Sequence, residues 1–258
     1  MFVIALTTDL SVGRVNKESL SQVTLLELFS RNIENIETIF DTQETPSEIT
    51  NWPYVNVNEK HIVVDIRWRN LELKGSVHFE WLPSALSSFT VESNVLTGTL
   101  DMASLPPSLV FFNIAGNHFF GTIRLQDLPE KMTVFTISSN VFTGTLDLEH
   151  LPSKLVDLQL NSNRFEGSVS LSQLPQNLVG LYLSDNQLHG PVDFTRLPPN
   201  LEELSLWGNP LSGFADFSCL PSRLEWLDVS QTNLEGTLIE RDSFLANDSK
   251  ITIQSNRY

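Results

Sequence analysis

Five side chains suited to recognition, Tyr182, Glu203, Trp207, Trp226 and Asp228, fall at related positions in the chain. Counted from Tyr182, each of the others lies within two residues of a multiple of 23. Aromatic rings beside carboxylates fit a protein partner. Tryptophan and tyrosine are enriched in interface hot spots, and acidic neighbours select a basic or mixed apolar surface. Phe111 and Val134, themselves 23 residues apart, form a smaller apolar candidate. Residues for catalysis are sparse. The chain has no phosphate-cradling glycine loop, no His-Glu-x-x-His, no nucleophile elbow and no cysteine pair. His78, His118, His150 and His189 occupy different slots of the period and do not line one metal or acid–base site easily. The single cysteine, Cys219, precedes Leu220-Pro221 and reads as a small core filler in a turn. A non-enzymatic protein with no cofactor and no metal is expected.

The period that relates these residues is set by glycine. Gly75, Gly98, Gly121, Gly144, Gly167, Gly190, Gly213 and Gly236 stand 23 apart without a slip, eight of the chain's 12 glycines. Such register marks a stacked repeat whose units cannot bury their apolar faces alone. Each unit carries Leu-x-x-Leu-x-Leu-x-x-Asn-x-Leu-x-Gly, as in Leu178, Leu181, Leu183, Asn186, Leu188 and Gly190, and then runs on to Leu-Pro, as at Leu197-Pro198. The Leu-x-Leu alternation predicts a short strand with one face buried. Asparagine follows at Asn94, Asn117, Asn140, Asn163, Asn186 and Asn209, where a buried amide both donates and accepts, satisfying backbone groups from one coil to the next. Glycine then supplies a bend with positive φ, and proline turns the chain back. Extended and 3₁₀-like segments are expected there, because few residues remain for a helix. On the strand, the residues between the inward leucines point outward. Tyr182, Glu203, Trp207, Trp226, Asp228, Phe111 and Val134 all fall at such positions, and diagonal spacing puts Tyr182 within reach of Trp207.

The pattern resembles the leucine-rich repeat, and the Asn-x-Leu-x-Gly-x-Leu stretch resembles its plant-type subclass. The recurring Leu-Pro-x-x-Leu departs from that subclass, which places proline soon after glycine, and is closer to the Leu-Pro repeats of bacterial effectors. The resemblance implies a right-handed superhelix with a parallel concave sheet, a helical N-terminal cap, and partners bound on the concave face. Eight repeats are expected over residues 63–242, with a cap over 1–62 and a capping strand or cut ninth repeat over 243–258. Helical spacing of Leu20, Val23, Leu26, Phe29, Ile33, Ile36 and Phe40 predicts one long helix or two short ones in the cap, followed by a hairpin near Val55 and Val64. Trp52 stands where plant-type caps carry tryptophan, but the usual cap cysteines are absent. Leu71 and Thr232 replace asparagine in the outermost repeats, as capping units should differ from the rest.

Net charge is −15, with a pI near 4.6, which disfavours nucleic acid and anionic lipid as partners. No apolar run approaches the roughly 18 residues of a membrane span. The apolar stretch within residues 1–9 lacks a basic flank and is too short for a signal peptide. A monomeric protein-interaction module with a slight preference for the cytoplasm is the expectation. The alternatives are the ligand-binding region of a larger surface or receptor protein and a substrate-recruiting accessory of an enzyme.

Overall fold

A computed structural model describes residues 16–40, 46–236 and 250–252. The N-terminal nine residues and the expected boundary at 242/243 lie outside the described residues, as does Asn247-Asp248-Ser249, whose residue types match an N-glycosylation sequon.

Each 23-residue unit contributes one strand to a ten-stranded sheet. Eight strands stack in parallel, from Val63–Arg67 through Ser88–Thr90, Phe111–Asn113, Val134–Thr136, Asp157–Gln159, Gly180–Tyr182 and Glu203–Ser205 to Trp226–Asp228, closing seven turns between them. Lys250–Thr252 pairs in parallel with the last of these, and Val55–Val57 pairs antiparallel with the first. A seven-stranded sheet lies on the other side of the coils, from Asn32–Ile33 to Gln187–Leu188, with Ser212–Phe214 and Asn233–Glu235 continuing beyond it as a pair. Between the sheets run short 3₁₀ turns such as Met102–Ser104 and Phe217–Cys219, where Asp101 and Asp216 cap the free amides. After each turn the proline carbonyl accepts from the amide three residues on, as Pro152 does from Leu155 at 3.0 Å.

The core is a set of ladders, because residues one period apart must meet. Phe89, Phe112 and Phe135 stack with ring centroids 5.4 and 5.5 Å apart, and every inward leucine of the central coils is fully buried. The glycine ladder has a packing reason beside its bend. At Gly167, φ is +85° and a Cβ would lie 2.8 Å from the Cγ2 methyl of Thr145, which occupies the space that glycine leaves open.

Asparagine stitches neighbouring coils together. The Asn140 oxygen accepts from the Phe119 N–H of the preceding coil at 2.9 Å, while its amide donates to the carbonyls of Ile114 and Ile137 at 3.0 and 3.1 Å. The same two-sided pattern recurs at Asn117, Asn163, Asn186 and Asn209. Asn94 opens the series and accepts twice, from the Leu71 and Leu73 N–H groups.

The N-terminal region is two short helices, Gln22–Ser30 and Glu37–Phe40, separated by the strand Asn32–Ile33. Ser21 caps the first by accepting from the Thr24 N–H. Phe29 then packs against Trp68, Phe79 and Phe89, and Trp52 stacks on Trp68 at 6.2 Å. Phe29 and Trp52 thus cover Trp68 and Phe89, which occupy inward leucine slots of the first two units and would otherwise face water.

Candidate functional site

The ten-stranded sheet carries Phe111, Val134, Tyr182, Glu203, Trp226 and Asp228 at outward positions, and Trp207 follows two residues past the strand Glu203–Ser205. Strand pairing keeps one register from Asp65 to Trp226, so residues 23 apart sit side by side at about 4.8 Å. One row reads Phe111, Val134, Asp157, Gly180, Glu203 and Trp226. Phe111–Val134 and Glu203–Trp226 are therefore the two ends of a single row about 24 Å long at that spacing. Asp157 and Gly180 join them. A parallel row contains Tyr182, Ser205 and Asp228. Phe111 also borders a cleft of about 280 Å³ shared with Arg67, Arg69, Thr90 and Asn113.

Tyr182 does not rest on Trp207. Its ring packs against Trp226 instead, with centroids 6.3 Å apart and planes tilted by 38°. The cause is Gly180. A Cβ there would stand 2.8 Å from Tyr182 Cε2 and 2.8 Å from Asp157 Oδ2, so the missing side chain leaves the seat that the tyrosine ring fills. From that seat the phenol donates to Glu203 at 2.5 Å. Trp207 and Asp228 are half-buried beside the cluster, and Glu203 is exposed.

The electrostatics are one-sided. Burial pushes the Tyr182 phenol far above its ordinary range, and its bond to Glu203 with the charges of Glu203 and Asp157 pushes the same way, so it stays a protonated donor. Burial likewise raises the Asp157 carboxyl; the Gln159 amide opposes this, and the Glu203 charge adds to it. Among the described residues, no Lys, Arg or His nitrogen forms an ion pair with Asp157, Glu203 or Asp228.

Two residues that the spacing places on the outward face but that were not chosen as site residues, Asp157 and Ser205, belong to this cluster by position and burial. The signal present in the chain is a glycine at an outward position, Gly180, flanked one period away by Asp157 and Glu203. The exposed rings Phe214 and Phe120 lie elsewhere, at different slots of the other side and four coils apart, and Tyr54 precedes the first repeat strand, so they form no common patch. Cys219 is corrected as well. It is exposed rather than a core filler, because the side chain of the turn that points inward is Phe217. Among the described residues no group of three or more His, Cys, Asp or Glu could hold a metal ion, and no helix is long and apolar enough to cross a membrane.

Parallel strands at a 23-residue period, an asparagine ladder and a helical cap define the fold as a leucine-rich repeat solenoid. No protein-family model and no curated protein matches the sequence. Solved structures do. The chain is similar to pollen receptor kinase 3 with 22% identity and a TM-score of 0.57, covering 74% of this chain and 96% of that one. It is similar to a plant ice-binding protein with 18% identity and a TM-score of 0.53, covering 90% and 94%. The Arabidopsis receptor kinase HAESA, solved with the peptide hormone IDA and the co-receptor SERK1, gives 20% identity, a TM-score of 0.53, and coverage of 83% and 46%. These likenesses establish the fold. Proteins of such unlike name share it, so the ligand has to be argued from the site. The cytoplasmic preference read from the sequence finds no support in these neighbours.

Proposed function

We propose that this chain is a non-enzymatic module that binds another protein along the outward face of its long sheet. The contact row runs from Phe111 and Val134 to Glu203 and Trp226, with Tyr182, Trp207 and Asp228 beside its acidic end. The observation that carries the reading is the preassembled cluster of Tyr182, Trp226 and Glu203 on the outward face. Rings already held in place lose little entropy on binding, which is what distinguishes an anchor from an exposed aromatic. A row of about 24 Å matches an extended segment of about seven residues at 3.3–3.6 Å each. HAESA, whose solved complex contains a peptide hormone, makes a segment of this kind a reasonable partner class. The ligand-binding part of a larger receptor is the version of this reading that those neighbours favour.

The test is a pull-down with mass spectrometry, comparing wild type with the Trp207→Ala/Trp226→Ala double variant. Partner recovery should fall at least tenfold while the far-ultraviolet circular dichroism spectrum and melting midpoint stay near wild type. Unchanged recovery together with a lowered melting midpoint would sink the proposal, since the tryptophans would then serve the fold.

A further inference from the structure

Native interiors leave very few buried polar atoms without a hydrogen bond, so each exception calls for a partner from elsewhere. Among the described residues three buried side-chain oxygens have none: Asp65 Oδ1, Asp157 Oδ1 and Ser205 Oγ. Asp65 is largely provided for within the chain. Its second oxygen takes the Asn56 amide at 2.7 Å and the Arg67 Nε at 2.8 Å. The other two atoms lie in the acidic cluster.

Ser205 is 1% exposed and stands between Tyr182 and Asp228 in register. Its chain neighbours Leu204 and Leu206 point inward and are fully buried, so strand alternation aims the hydroxyl at the face shared with Glu203 and Trp207. Asp157 and Glu203 sit one strand to either side of Gly180, about 10 Å apart at the usual strand spacing. The Asp157 carboxylate and the Tyr182 ring both close on the space over Gly180. The cluster therefore offers acceptors on two sides, a hydroxyl between strands, an aromatic ring, and no cation of its own.

We infer that this cluster takes the guanidinium of an arginine, laid against the Tyr182 ring that fills the space over Gly180 and presented by a partner lying along the row. The inference rests on reading the row as the binding face. Guanidinium is planar, carries five donors in a fork that fits carboxylates, and stacks on aromatic rings. An ammonium is a compact, strongly hydrated charge with three donors and satisfies the same acceptors less well. The partner is thus a peptide or protein segment with an arginine placed to reach Asp157 and Glu203 while its neighbours cover Trp226.

The experiment titrates the full chain with acetyl-Ser-Gly-Arg-Gly-Ser-amide, following the Trp226 indole N–H signal by nuclear magnetic resonance. The same peptide with citrulline, which keeps the shape and removes the charge, is the comparison, and a lysine version is the second. Saturable shifts are expected with arginine, at least tenfold weaker binding with citrulline, and several-fold weaker binding with lysine. Asp157→Asn and Glu203→Gln should each reduce arginine-peptide affinity about tenfold. Asp157→Asn should do so while its melting midpoint holds or rises, because it removes a partly buried charge whose Oδ1 has no partner; a structural role would lower the midpoint. Equal binding of arginine and citrulline peptides, or full affinity in Asp157→Asn, overturns the inference. Selection from a random heptapeptide library separates it from the broader reading. Binders that need Trp226 but lack basic residues overturn the guanidinium seat and leave the row standing. Binders indifferent to Trp226→Ala overturn the row.

Discussion

Replacing the ladder asparagines by alanine one at a time should give unequal losses, ordered by how many backbone groups each leaves without a partner. At Asn140 the amide is partly redundant. The Ile114 and Ile137 carbonyls also accept from Asn117 at 3.1 Å and from Asn163 at 3.0 Å. The Phe119 N–H is the group that loses its acceptor. One orphaned buried group costs about 1–3 kcal/mol, and the shared bonds add about 1, so Asn140→Ala should cost about 2–4 kcal/mol. Asn209→Ala strips two groups. The Leu188 N–H loses its acceptor, and the Leu206 carbonyl loses its donor because Thr232, one coil on, bonds to Val229 of its own coil. That loss is about 2–6 kcal/mol. Asn94→Ala strips three: the Leu71 and Leu73 N–H groups and the Trp68 carbonyl, since Leu71 stands where a preceding asparagine would. About 3 kcal/mol is its lower limit, and the upper range approaches the whole stability of an ordinary domain. Urea unfolding followed by circular dichroism reads the midpoints, with the slope m as a control because repeat arrays can fray from one end. The expected order of loss is Asn94, Asn209, Asn140. Equal losses, or the largest loss at Asn140, would refute the idea that overlapping amides share the carbonyls.

Gly167→Ala should cost more than Gly190→Ala although their φ values are +85° and +86°. Both variants meet the left-handed penalty of about 1–2 kcal/mol, but the new methyl lies 2.8 Å from Thr145 Cγ2 at the first site and 3.7 Å from Ser168 Cβ at the second. The excess, about 1 kcal/mol or more, should vanish in a Thr145→Ser background when melting midpoints are compared. For pH, Asp157 has a folded-state pKa above its ordinary 3.8, so its favourable contribution is complete below 3.8 and is lost as pH rises through the raised value. The groups that face it are Glu203, Tyr182 and the neutral Gln159. The melting midpoint of Asp157→Asn relative to wild type should therefore climb between pH 4 and 7, whereas arginine-peptide affinity of wild type should rise over the same interval; a flat difference refutes both. Exposed Cys219 should react with a thiol reagent in the native protein at a rate within a few-fold of the urea-unfolded chain, and protection would show that the side chain is covered.

How much of this was readable in the residues depends on what each feature requires. The glycine period fixed the coil length, and with it the strand positions and the pairing of residues 23 apart, because parallel strands of identical units have one register that keeps all leucines inside. The asparagine positions were legible for the same reason, since every coil leaves the same backbone groups unpaired where it turns off its strand. The helical reading of the cap found its two short helices, but the break at Asn32–Ile33 was not visible: those residues leave the helical pattern to pair with Lys74–Ser76, 42 residues further on. The exposure of Cys219 was equally hidden, because inward direction in a three-residue turn depends on which neighbour, here Phe217, fills the core.

The sequence by itself determined the architecture and the rows of outward side chains, because both follow from a repeated local pattern counted along the chain. Only the tertiary structure decided what happens within a row. The direction a side chain leans is set by the volumes beside it on adjacent coils, and those differ from unit to unit. At Gly180 the absent Cβ lets Tyr182 turn away from Trp207 toward Glu203 and Trp226. The same local packing leaves one oxygen each of Asp157 and Ser205 buried and unpaired. Periodicity places these residues side by side, but whether they satisfy one another or await a partner depends on desolvation and angle, which no spacing encodes.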